Sequence, residues 1–232
     1  MRAWILPPIF LVSLIFTLVA QTATEVEITA EPSHHLAIDN QYVRVFRVQV
    51  PPKASTLMHW HRHDYVFITL GDSHISNQVQ SKAAVEVNLD DGETRFVGGN
   101  FAHIAQNLSD QPFRNITIEF LQDEQMRSAA SQWADDAGEE SLPGGHRKTL
   151  FVKDGARVSS VELVPGGRLP GEKFTRPTLL VSIGHAQLSN GKSSREELNP
   201  GGLLWSDGKP QSSLEKTNVG THPARFVMLE FW

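Results

Sequence analysis

The stretch Thr56–Asp72, TLMHWHRHDYVFITLGD, sets three histidines on alternate positions and follows them at once with an acid. In an extended strand, alternate side chains share a face. His59, His61 and His63 would therefore project together, with Trp60 and Arg62 turned the other way. Two readings of such a face are open. One is a metal site, because neutral imidazole suits zinc, iron, copper and nickel. The other is a polar strand that happens to be rich in histidine.

Composition narrows what surrounds this stretch. The 232 residues suit one large domain or two small ones. A net charge of -5 gives no basic footprint for nucleic acid. The chain has no cysteine, which excludes disulfides, thiolate metal sites and a cysteine nucleophile. Any metal must be held by imidazole, carboxylate or water.

The N-terminus reads as a targeting segment. Met1 and Arg2 precede ILPPIFLVSLIFTLVA, and polar sequence begins at Gln21. Pro7 and Pro8 would interrupt a helix and leave Ile9 to Ala20 as an apolar run of signal-peptide length. An uncleaved anchor is the alternative, although the stretch from Ala3 to Ala20 is at the short limit for spanning a bilayer. The expectation is a signal peptide over residues 1–23, cleaved after Ala20 or Ala23, and a soluble mature protein that is secreted or periplasmic. Asn107-Leu-Ser and Asn115-Ile-Thr fit the N-glycosylation pattern, which is short enough to occur by chance.

The rest reads as short strands. VRVFRVQV, DYVFITL, AAVEVNL and NITIEF mix alternating and continuous apolar residues and are rich in β-branched side chains. Turn signals separate them at Pro51-Pro52, Gly71-Asp72, Asp91-Gly92 and Gly98-Gly99. This pattern predicts an all-β barrel or jelly roll. One segment differs: DEQMRSAASQWADDAGEE, from Asp123 to Glu140, reads as a short helix fading into a linker that ends at Pro143-Gly144-Gly145. Its acids Asp135, Asp136, Glu139 and Glu140 read as a solvated face.

Beyond that linker the first pattern returns. A shift of 113 positions matches Arg44, Val45, Val48 and Pro52 with Arg157, Val158, Val161 and Pro165. The same shift matches Gly71, Ser76 and Asn77 with Gly184, Ser189 and Asn190. A shift of 111 matches Asn107, Pro112, Arg114, Glu119 and Phe120 with Asn218, Pro223, Arg225, Glu230 and Phe231. The chain thus reads as two copies of one β module of about 90 to 100 residues. The expected boundaries are a first module over 24–121, a linker over 122–146 and a second module over 147–232. The histidines are not copied. Glu172, Phe174, Arg176 and Leu214 stand opposite His59, His61, His63 and His103, so the cluster is not a requirement of the fold.

These residues resemble the cupin family. Its first motif is commonly written G-x5-H-x-H-x3,4-E-x6-G and its second G-x5-P-x-G-x2-H-x3-N. GETRFVGGNFAHIAQN matches the second motif at Gly92, His103 and Asn107, with Gly98 in place of the proline and Asn100 in place of the second glycine. His59, His61 and Gly71 match the first motif, whose opening glycine is replaced by Lys53. Asp64 stands where the glutamate would be when counted back from Gly71, although only two residues separate it from His61. The resemblance covers both halves. It implies an all-β protein of two small cupin-type jelly-roll barrels (a bicupin) joined by the partly helical linker, with a degenerate second cupin.

It also implies one divalent transition metal in the first module, held by His59, His61 and His103, with Asp64 as a candidate fourth ligand. Iron is the metal most in keeping with such a site, with zinc, manganese, nickel and copper as alternatives. Tyr65 and His63 are the candidate proton donors. Asn107 reads as a turn or strand-end residue because Asn218 persists without a metal site. Arg44 and Arg157 read as structural for the same reason, and His34-His35 as surface. The leading functional expectation is a metal-dependent oxygenase of a small organic molecule. A non-catalytic, metal-stabilised binding module for a sugar or other small molecule is second, and a metal-free structural protein third. The expected partner is a small-molecule substrate or ligand, with a homodimer allowed, no nucleic acid, and no membrane after signal cleavage.

Overall fold

A computed structural model describes residues 25–121, 138–171, 176–191, 194–209 and 214–232. The expected signal peptide and the helical part of the expected linker lie outside these residues. No helix among them is long and apolar enough to cross a membrane.

The alternating segments form strands, as their β-branched content dictates. The first half comprises β1 (Val26–Glu27), β2 (His34–Asp39), β3 (Val43–Val50), β4 (His59–His61), β5 (Tyr65–Thr69), β6 (Ser73–Val79), β7 (Val85–Leu89), β8 (Thr94–Val97), β9 (Phe101–Asn107) and β10 (Phe113–Phe120). They form two sheets, in the orders β1-β4-β9-β6-β7 and β2-β3-β10-β5-β8. The second half comprises β11 (Glu139–Leu142), β12 (Gly145–Lys153), β13 (Ala156–Leu163), β14 (Arg168–Leu169), β15 (Pro177–Ser182), β16 (Ala186–Ser189), β17 (Arg195–Leu198), β18 (Leu203–Asp207), β19 (Lys216–Asn218) and β20 (Ala224–Phe231). Its sheets run β11-β12-β13-β20-β15-β18 and β14-β19-β16-β17. Apart from the added β1 and β11, the second half repeats the strand orders of the first.

Two expectations change. Hydrogen bonding does not close either half into a barrel: among the described residues each half is a pair of separate sheets. Residues 139–146, expected in the linker, belong to a hairpin. Glu139 and Glu140 lie opposite Lys148 and Arg147 in the β11–β12 ladder. Glu140 meets Arg147 at 2.7 Å, so cross-strand charge pairing takes an acid that composition alone assigns to solvent, while Glu139 is exposed as expected.

The continuous apolar runs are explained by burial on both faces. Val45 on β3, Ile68 on β5, and Ile118 and Phe120 on β10 pack against Val158, Leu179, Leu229 and Phe231 of the second half, in one core cluster. Phe120 and Phe231 meet edge-to-face with ring centroids 6.2 Å apart. The opposite faces of these strands look into their own halves, and there the halves differ. Asn115 and Thr117 of the first half stand, at the shift of 111, where the second half has Phe226 and Met228. Phe226, Met228, Leu188 and Leu214 fill the second interior as an apolar cluster. The smaller polar residues of the first interior leave it hollow.

Asn107 and Asn218 have matching structural roles. Asn107 Nδ2 donates to the carbonyls of Val50, Pro51 and Gln111, and its Oδ1 accepts the Ser109 amide. Asn218 Nδ2 donates to the carbonyls of Leu163 and His222, and its Oδ1 accepts the Gly220 amide. Asn107 and Asn115 are both buried, so neither glycosylation match is accessible in the folded chain. Replacing either bridging asparagine by alanine strands buried carbonyls. Asn107→Ala and Asn218→Ala should each lower stability by about 2 kcal/mol in urea titration. A near-zero cost at either position would contradict the shared role.

Candidate metal centre

β4 and β9 run antiparallel with His59 directly opposite His103 and His61 opposite Phe101. Alternation along β4 puts His59 and His61 on the inner face, and both are essentially fully buried. The facing sheet adds a residue that the sequence placed at the surface. His34, at the start of β2, is buried and its ring lies 4.7 Å from that of His59. The ligand nitrogens of His34, His59 and His61 all lie within 4.8 Å of one another. His103 joins beside His61, their Nε2 atoms 3.1 Å apart. His35 points outward and is exposed.

The outer nitrogens fix the direction of the inner ones. His34 Nδ1 donates to Glu31 Oε2 at 2.6 Å, His59 Nδ1 to the Leu57 carbonyl at 2.8 Å, and His103 Nδ1 to Asn77 Oδ1 at 2.6 Å. With Nδ1 protonated in a neutral ring, Nε2 carries the lone pair. His59 Nε2 is buried without a hydrogen-bond partner, as are His61 Nδ1 and both carboxylate oxygens of Glu119. Imidazoles with bare inner nitrogens and engaged outer ones are the donor set a divalent transition metal takes. The residues therefore fit the metal that the sequence implies. Glu31 is itself fully engaged, accepting the Ser33 and Leu57 amides as well. Burial opposes its ionisation, but the His34 bond and these amides outweigh burial and hold its pKa below the usual value.

Not every expected residue reaches this centre. β4 ends at His61, where the chain crosses to the other sheet, so alternation stops before His63. His63 is exposed, and its carbonyl packs so close to Gly99 that a Cβ there would come within 2.4 Å of it. Asp64 is not brought to the histidines, because its Oδ1 accepts the Gly99 amide at 2.5 Å. Asn100 follows with φ of 64°, a left-handed conformation that asparagine tolerates where the family motif has glycine. Tyr65 does reach the centre, stacked on His61 with ring centroids 4.1 Å apart. Burial, with Glu119 adding to it, raises its pKa well above the tyrosine range, which makes it a reluctant proton donor.

The histidines line a cavity of about 420 Å³. Val50, Phe67, Val87, Phe101 and Phe113 supply apolar wall, and Lys82 and Arg95 also line it. Arg95 is paired with Glu93 at 2.5 Å. No ion pair engages Lys82 among the described residues.

No family model matches the chain, and neither does any curated protein sequence. Solved structures do match in fold. A cupin 2 conserved barrel domain protein from Leptotrichia buccalis superposes with a TM-score of 0.55 at 8% identity, over 86% of this chain and 88% of that one. The salicylate 1,2-dioxygenase of Pseudoaminobacter salicylatoxidans, with gentisate, gives 0.55 at 11% identity, over 82% and 68%. A mutant of Bacillus subtilis oxalate decarboxylase gives 0.54 at 10% identity, over 83% and 69%. The chain has a two-cupin fold. The second cupin is degenerate where it can be described: Leu214, at the position matching His103, is buried in apolar core. Glu172 and Phe174, which stand opposite His59 and His61, lie outside the described residues.

Burial lowers the pKa of His59 to about 4 and that of His103 to about 3, with neighbouring imidazoles adding to both shifts. Burial also lowers His61 strongly. Burial raises Glu119 to about 7, against the attraction of Arg44. The three lowered histidines are protonated in the unfolded chain below the ordinary histidine value of 6.5, but stay neutral in the fold across this range. Unfolding thus takes up their protons, while Glu119 releases one in the opposite sense. Metal-free protein should lose stability as pH falls from 6.5 towards 4.5, with a net uptake of about two protons on unfolding, or about 3 kcal/mol per pH unit. Urea midpoints across this range test the slope, and a flat profile would contradict the buried neutral cluster.

Proposed function

We propose that this protein holds one divalent transition metal through His34, His59, His61 and His103, and uses it on a small organic substrate in the adjoining cavity. The observation that carries the proposal is the convergence of four buried imidazoles at an apolar cavity. The metal proposed is iron, with zinc, manganese, nickel and copper as the alternatives that imidazole also suits. Bound there, iron would act as Lewis acid and electron conduit for an oxygenase reaction. The chain's own part is to hold the metal in a water-poor pocket, shape the substrate's apolar body, and offer Lys82 to an anionic group. A small organic acid is therefore the proposed substrate class. In support, a salicylate dioxygenase and an oxalate decarboxylase share the fold.

Export belongs to the same proposal and rests on the sequence of residues 1–23. A second reading, a non-catalytic binding module, is favoured by one observation. The acid/base groups expected from sequence do not serve the cavity well, since His63 is exposed and Tyr65 holds its proton tightly.

Reconstitution with iron(II) separates the two readings. Oxygen uptake with a panel of small phenolic, diketone or carboxylic compounds should be measurable, and it should disappear in His61→Ala and His103→Ala. His34→Ala should weaken metal binding by at least about tenfold, whereas His63→Ala should leave it within about twofold. If iron, manganese, nickel, copper and zinc forms all bind small acids without converting them, the binding module stands instead. If His63→Ala loses metal and His34→Ala does not, the ligand set is wrong.

A further inference from the structure

Behind His61, on the side away from the cavity, the first cupin contains a carboxylate that its own hydrogen bonding does not explain. Glu119 on β10 is 1% exposed, and neither of its oxygens has a hydrogen-bond partner. His61 Nδ1, also buried and without a partner, lies 4.0 Å from Glu119 Oε1.

The second cupin supplies an internal comparison. Glu119 lies opposite Arg44 in the β10–β3 ladder, as Glu230 lies opposite Arg157 in the β20–β13 ladder. In the second cupin the pair is closed: Arg157 grips both Glu230 oxygens at 2.9 and 3.0 Å, and Arg147 adds a bond at 3.0 Å. In the first cupin the same pair is open. Arg44 turns to Asp39 at 3.3 Å and stays 3.6 Å from Glu119. One inherited ion pair is thus satisfied where no histidine cluster stands and loosened where one does.

The tautomers give the loosened carboxylate a task. His103 donates through Nδ1, so its Nε2 is bare and faces His61 Nε2 at 3.1 Å. A neutral His61 satisfies that contact by carrying its proton on Nε2, which leaves Nδ1 bare. To ligate a metal through Nε2, His61 must carry the proton on Nδ1 instead. A buried N–H needs an acceptor, and the group facing that nitrogen is Glu119. We infer that Glu119 is a positioning residue for the metal centre, selecting the His61 tautomer that ligates by accepting the Nδ1 proton in a hydrogen bond. This inference rests on the metal reading above. It adds a carboxylate to the acceptors already serving His34, His59 and His103, so that each of the four rings has its own.

Cobalt(II) titration of the full mature chain, followed by its visible absorption, tests this together with ¹⁵N NMR of the histidine tautomers in the zinc-loaded protein. Glu119→Gln should weaken cobalt affinity about 10- to 100-fold. It should also shift or broaden the His61 Nδ1–H signal and leave the metal-free protein folded, since no hydrogen bond of the metal-free fold is lost. Glu230→Gln should do the reverse, lowering the melting temperature while leaving cobalt affinity within about twofold. Cobalt affinity unchanged in Glu119→Gln, with wild type binding normally, would overturn this inference alone. So would a zinc-loaded wild type whose His61 is protonated on Nε2. If wild type binds neither cobalt nor zinc, the metal centre falls and the inference falls with it.

Discussion

A buried imidazole is tolerated when it is neutral and its single N–H has an oxygen to meet. That constraint organises the first cupin. Leu57 offers a backbone carbonyl, Asn77 an amide oxygen and Glu31 a carboxylate, and each takes the outward proton of one ring. With those protons committed outward, the remaining nitrogens are bare and turned towards one another. Three lone pairs crowded in a low-dielectric pocket, with only the His61 ring to meet one of them, are unfavourable unless a cation sits among them. The arrangement therefore makes physical sense as a centre prepared for a metal, and poor sense as a set of packed polar residues.

Duplication shows what this arrangement displaces. The same ladder positions carry Asn115 and Thr117 in one half and Phe226 and Met228 in the other. Large apolar side chains close the second interior, while small polar ones leave room for imidazoles and a cavity beside them. The second half keeps the bridging asparagine, the arginine–glutamate pair and the strand order, which are the parts that make a cupin fold. It does without a polar interior and gains a dry core. A dry core is the more stable arrangement per residue, because no buried polar group has to find a partner.

The strand pattern, the repeat and the convergence of His59, His61 and His103 from β4 and β9 are legible in the sequence because each rests on local periodicity or on spacing within one strand pair. His34 is not. Its strand, HHLAID, has no clean alternation: Leu36 is 54% exposed, and a bulge between Leu36 and Ile38 breaks the period. The residue also comes from the opposite sheet, so no sequence spacing ties it to His59. Glu31, three residues earlier and buried, is the one local sign that His34 turns inward. His63 and Asp64 are placed away from the histidines for different reasons: His63 lies beyond the end of β4, and Asp64, suggested by motif spacing alone, is engaged by the Gly99 amide. Alternation holds for His63 only while the strand continues, and after His61 the chain leaves one sheet for the other and obeys the turn rather than the pleat. The hairpin at 139–146 is hidden by composition, because two acids in a row carry no strand signal until the arginine and lysine that lie opposite them are known.

The two functions of the central strands are linked through alternation itself. On β10, Ile118 and Phe120 face the second cupin while Thr117 and Glu119 face the first interior. On β3, Val43 and Val45 take part in the same inter-cupin core, and Arg44 between them is the residue that leans away from Glu119. A strand so packed cannot shift its register without moving both faces at once. The degenerate cupin, with no histidine cluster among its described residues, thereby acts on the centre in a definite way. It packs Leu229 and Phe231 against the back of β10, the strand that carries Glu119, so a change in that packing is transmitted to the carboxylate facing His61.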